Sequence, residues 1–158
     1  MNTVLYLSAS GAVFETRAYS NADLAALLDG KGLHCLTSSD GQFDFWFSPA
    51  PQRCQRRANR IATELLLATT KLSAKSVPVM HGGVVIATHD SDGDLDGLSW
   101  QQLDELVARR SALSKRSKRL LSRRIARDEQ RTRPPAAAAA PAGGARQGTA
   151  ARRSAQRV

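Results

Sequence analysis

The sequence predicts an α+β domain: a small mixed or antiparallel sheet with helices mainly on one face, extended by a basic C-terminal helix and a disordered tail. Three observations carry this reading. Short apolar or alternating runs fall in pairs separated by turn residues, as hairpins do. Segments with apolar residues at helical spacing interrupt them. After residue 108 the charge changes abruptly, and after residue 131 core-forming residues nearly vanish. A chain of 158 residues allows one modest domain plus extensions. The expected division is 1–110 for the domain, 111–131 for a basic helical arm and 132–158 for an Ala/Pro/Gly/Arg-rich tail.

The elements follow in order. "TVLYLSAS" reads as a buried strand, and "AVFETRAY" alternates, so the two form a first hairpin. In "SNADLAALLDGKG", Ser20 or Asn21 caps a helix whose face is Leu24, Leu27 and Leu28, and Gly30 or Gly32 ends it. "LHCLT" and "FDFWF" are strands joined through the Asp40-Gly41 turn. "SPAPQRCQRRANRIATELLLATTKL" reads as one helix starting near Ser48 and Pro49. Its Cys54, Ala58, Ile61, Leu65, Ala68 and Leu72 are expected to face the sheet. "VPVMHGGVVIATHD" supplies a strand, or a bent pair around Gly82-Gly83. Ser99 with Gln102 forms a capping-box pattern, and Trp100, Leu103, Leu106 and Val107 are expected to dock the helix that follows. A break near Ser111 is expected before the basic helix.

Charge separates the chain into two parts. From Arg109 to Val158 there are fifteen Lys and Arg against Asp128 and Glu129, a net of +13. Residues 1–108 carry a net of −4. A mildly acidic body joined to a basic segment points to a polyanionic partner. Lys115, Arg116, Arg119, Arg123 and Arg127 fall within about a third of a helical circumference. Lys118, Arg124 and Arg131 complete the eight cations between Ser114 and Arg131, over about 27 Å of helix. Such an array attracts phosphates of any sequence; phosphate contacts position a protein and do not specify bases. Arg53, Arg56, Arg57 and Arg60 form a second candidate cluster, with Glu64 as a helical partner for Arg60 and Asp44 as a nearby acid.

Other chemistry finds little support. His34, His81, His89, Cys35 and Cys54 include no pair at metal-ligand spacing. Asp92, Asp94 and Asp96 with Gly97 imitate the start of a calcium loop, but the twelfth position is Leu103, so a solvated turn is expected. No nucleophile elbow, Gly-rich phosphate loop or paired carboxylates with acid/base logic is present; neither catalysis nor a cofactor is expected. Two cysteines without CxxC, and an apolar amino-terminal run of only Val4–Leu7, lead to a cytoplasmic expectation. No run reaches the roughly 18 apolar residues of a membrane span.

Two resemblances bear on function. "VLYLSAS" and "GQFDFWFS" invite comparison with the RNA-recognition motif, whose strand aromatics stack on bases. Tyr6, Phe43 and Phe45 would be the stacking residues. The basic and glycine positions of that motif are not matched, and core packing is the expected role of Phe43, Phe45 and Phe47. Over residues 3–104, "VLYLSASGAVFETR", "FDFWFSP", "NRIATELL" and "HGGVVIATHDSDGDLDGLS" resemble small uncharacterised domains of actinobacterial phages and integrated mobile elements, with Asn59, Ala62 and Thr63 as the helical motif. That resemblance implies a genomic setting and no active site.

The expected function is therefore that of a non-enzymatic accessory protein whose basic C-terminal segment binds DNA or RNA phosphates with little sequence preference. The alternative is a protein-interaction module that docks through an exposed Trp46 or an open sheet edge, with the basic segment conferring solubility.

Overall fold

The computed structural model describes residues 2–51 and 56–133. The predicted tail and Arg53 and Cys54 lie outside the described residues. The order is β1 (Asn2–Leu7), β2 (Val13–Ala18), α1 (Asn21–Leu28), β3 (Gly30–Lys31), β4 (His34–Thr37), β5 (Asp44–Phe47), β6 (Ala50–Pro51), α2 (Arg60–Thr69), β7 (Val84–His89), β8 (Leu95–Asp96), α3 (Trp100–Ala112) and α4 (Lys115–Thr132). The main sheet runs β2-β1-β7-β5-β4, with β8 paired to the end of β7; β3 and β6 form a separate ribbon. Every pairing is antiparallel. The fold is α+β. Among the described residues no helix is long and apolar enough to cross a membrane.

Strand alternation sends side chains to two faces. Leu7, Phe43, Phe45, Val84 and Ile86 meet α2, α3 and α4 on one face and build the larger core. Val4, Val85 and Ala87 meet Leu24 and Leu28 of α1 on the other. Phe43 and Phe45 are fully buried. Tyr6 lies on the opposite face, stacked on Phe14 with ring centroids 4.9 Å apart. The three aromatics therefore form no common stacking platform. Trp46 is half-buried beside α1 rather than exposed.

The helix expected from Ser48 onward starts later. Its first described turn is at Arg60, capped by Asn59, and it ends at Thr69. Upstream, Ala50–Pro51 pairs with Gly30–Lys31, and Ala58 bridges His81. Leu72 lies beyond the helix and is exposed. The physical reason is Asn59. Its Oδ1 accepts from the Ala62 N–H at 3.1 Å, and its Nδ2 donates to the carbonyls of Leu7 at 3.0 Å and Gly82 at 2.8 Å. The Asn59 N–H donates to the Met80 carbonyl at 2.7 Å. Thr63 Oγ1 donates to the Asn59 carbonyl at 2.8 Å and accepts from the Met80 N–H at 3.0 Å. Asn59 is 1 % exposed, so these groups have no water to turn to.

The other N-caps agree with the sequence, but α1 ends earlier than expected: Asp29, not Gly30 or Gly32, takes the left-handed conformation at φ 41° and its N–H donates to the Ala25 carbonyl, while Gly30 already belongs to β3. Ser20 and Ser99 both form capping boxes, with Asp23 and Gln102. Gly41 takes φ +72° in the β4–β5 turn. The break between the last two helices falls at Leu113–Ser114, not Ser111, because Ser114 caps α4 by accepting from the Ser117 N–H at 3.1 Å.

Asn59→Ala removes a cap and takes a donor away from two buried carbonyls. It is expected to cost about 2–4 kcal/mol, read as a lower midpoint in urea denaturation. An unchanged midpoint would show that the network carries little of the stability.

Candidate nucleic-acid interface

Helix α4 is built from two unlike faces. Leu121 and Ile125, one turn apart, are buried in the larger core, and Leu113 and Leu120 pack against it. The segment is thus docked on the body along its length. The opposite face carries Lys115, Arg116, Arg119, Arg123 and Arg127, all exposed. From Arg116 to Arg127 this row spans about 16 Å. Among the described residues, none of the five has an acid within ion-pair distance.

The acids of α4 are turned away from that row. Asp128 Oδ2 pairs with His81 Nε2. Glu129 lies 3.9 Å from Arg57. Three of the other expected phosphate ligands have different positions. Arg124 donates to the carbonyls of Ala74 at 2.8 Å and Val77 at 2.9 Å. It fastens the α2–β7 connection to α4 and is not available to a phosphate without breaking those bonds. Lys118 is half-buried, on the wall of a groove beside β1, β2 and α3. Arg131 is exposed in the last turn.

The second cluster divides in the same way. Arg60 donates to Glu64 at 2.9 Å, and Arg110 reaches the other oxygen of Glu64 at 2.8 Å. Asp44, expected as a partner for this cluster, instead accepts from Thr37 and pairs with His89 at 2.6 Å. Arg56 and Arg57 are exposed and lie beside the end of α4, where they line a concavity with Glu129, Gln130 and Arg133. Arg133 was missed in the sequence, although the pattern Arg131-Thr132-Arg133 carried it. Arg109 was also missed: it binds Asp40 at 2.6 Å, binds Glu105, and stands 5.6 Å over the Phe43 ring.

The groups best suited to chemistry are tied up. The Glu64 side chain is 5 % exposed. Burial pushes its pKa up, but the hydrogen bonds and charges of Arg60 and Arg110 outweigh that and hold the carboxyl below its ordinary value. Partial burial of the Cys35 thiol and the charge of Asp44 push its pKa up to about 11, which leaves it protonated and a poor nucleophile at neutral pH. The Asp90–Asp94 segment is a tight hairpin turn: Asp90 Oδ1 accepts from the N–H groups of Asp92 and Asp94 at 2.9 Å, and Gly93 takes φ +84°. Among the described residues no group of three or more His, Cys, Asp or Glu is placed to hold a metal ion.

No family model, curated protein or solved structure matches this chain significantly.

The division of the arginines has measurable consequences. Arg124→Gln is expected to cost about 1–3 kcal/mol, because two carbonyls lose a charged donor, whereas Arg119→Gln stays within about 0.5 kcal/mol; urea denaturation of both variants distinguishes them. The depressed Glu64 pKa contributes stability that is present above the unfolded carboxyl value and lost as pH falls through the folded one. Glu64→Gln should therefore be less stable at pH 7 and lose less stability than the wild type below about pH 4.5. Parallel acid limbs for the two proteins would contradict the linkage.

Proposed function

We propose that the protein is a cytoplasmic, non-enzymatic accessory protein that binds nucleic-acid phosphates through the outer face of α4 with little sequence preference. One observation carries the reading: an exposed row of Lys115, Arg116, Arg119, Arg123 and Arg127 with no acid at ion-pair distance among the described residues, on a helix whose own acids are engaged elsewhere. A face serving only solubility normally interleaves both signs. Arg56 and Arg133 extend the positive surface past the end of the helix, beside Arg57 and its partner Glu129. Lys118, Arg124 and Arg60 are secondary in this reading, since each is half-buried or already bound. The helix is fixed on the body, so its cations form a patch of set geometry rather than a loose chain of charge. Phosphates of DNA and RNA are equally suitable ligands for it. The setting of a phage or mobile element belongs to this proposal.

The experiment is a titration against two unrelated duplexes at two salt concentrations. Wild-type affinity should fall steeply with salt. Replacing Arg116, Arg119, Arg123 and Arg127 together with Gln should weaken binding to both duplexes alike. It should also flatten the salt slope by up to ~0.9 for each phosphate that is no longer neutralised. Gln preserves helix propensity, so the fold should remain. Salt-independent binding, or a quadruple variant that binds as well as wild type, would leave the row as a solubility device.

A further inference from the structure

Strand β2 is the outer strand of the sheet, and among the described residues nothing pairs with its free side. The Ser8 N–H donates to the Ala12 carbonyl at 2.8 Å. Counting from that pair, Phe14, Thr16 and Ala18 exchange hydrogen bonds with β1, and Val13, Glu15 and Arg17 direct their N–H and C=O groups outward. An open edge of this length is a template for another strand.

Exposed apolar side chains gather around this edge. Val13 (46 % exposed), Phe14 (49 %) and Tyr19 (65 %) lie on the strand or next to it. Trp100 (75 %) and Val107 (66 %) on α3 share with Val13 and Leu5 a groove of about 610 Å³ on one side of the strand. Trp100 and Val107 were expected to dock α3; Leu106 and Leu103 do so instead. Only Leu36 and Leu72 among the exposed large hydrophobics of the described residues lie elsewhere. The other outer strand, β4, has four residues and no comparable cluster.

We propose that two copies of this chain pair through β2, antiparallel about a two-fold axis at Thr16. The charges of the strand select both the partner and the register. Glu15 and Arg17 are exposed and share the face of Val13. With the axis at Thr16, Glu15 stands opposite the partner's Arg17, and Arg17 opposite the partner's Glu15. Both are outward-directed positions, so the backbone pairs and the charge pairs coincide. Moving the axis to residue 15 or 17 sets Glu15 against Glu15 or Arg17 against Arg17. A strand of unrelated sequence would not be complemented twice by the same pair. The two-fold axis is normal to the sheet, so the two grooves lie on one face of the joined sheet and flank the junction.

Analytical ultracentrifugation of the full chain, without nucleic acid, tests this up to concentrations on the order of 100 µM. The wild type should be a dimer in that range. E15R and R17E should each weaken association about tenfold or more. The double variant E15R/R17E should restore it, and E15R mixed with R17E should form the heterodimer. Both side chains are exposed, and circular dichroism confirms that each variant is folded. A monomeric wild type, a single reversal without effect, or a double variant no tighter than the single ones overturns the proposal.

Discussion

The side chain of Asn59 is the constraint on which the architecture depends. It joins three elements distant in sequence: the end of β1 at Leu7, the turn before β7 at Gly82, and the first turn of α2. Each partner is a backbone group in buried surroundings. Thr63, one turn along α2, closes the same network on Met80. Together these bonds fix where α2 starts and how it crosses the sheet. The position of α2 in turn sets the floor for α3 and α4, since Glu64 receives Arg110 and the larger core receives Leu121 and Ile125.

Charge is ordered by the same packing. Glu64 binds two arginines, Asp40 and Glu105 bind Arg109, Asp128 faces His81, and Glu129 faces Arg57. The acids nearest the basic segment therefore serve contacts within the fold. Among the described residues, Lys115, Arg116, Arg119, Arg123 and Arg127 have no acid at ion-pair distance and share the outer face of α4. An exposed pair such as Arg57–Glu129 contributes little to stability, whereas Glu64 is buried between its two arginines. The consequence of this pairing is the field it leaves, a positive row on a docked helix joined to residues 1–108 of net −4.

Local signals in the sequence identified most of the elements. The cap at Ser20, the capping box at Ser99, the Asp40-Gly41 turn, the apolar run of β1 and the alternation of β2 depend on neighbours within a few residues. The start of α2 was not legible, because an Arg- and Gln-rich run has good helix propensity and the decisive bonds of Asn59 reach carbonyls 52 and 23 residues away. Helical spacing does not delimit the docked face of α3: Trp100 and Val107 sit beside the stripe of Leu103 and Leu106, over a groove rather than a core. The outer row of α4 was visible in its spacing. The different fate of Arg124 was not, since it follows Arg123 directly and only the docking of the helix sends it to the carbonyls of Ala74 and Val77.

In the proposed function, α4 divides its arginines between holding the fold and meeting phosphate. The most direct measurement is nuclear magnetic resonance of the arginine Nε–Hε groups during addition of a short duplex. The signals of Arg116, Arg119, Arg123 and Arg127 should shift together, while those of Arg110 and Arg124 stay in place. Shifts confined to Arg110 and Arg124, or spread evenly over every arginine, would contradict it.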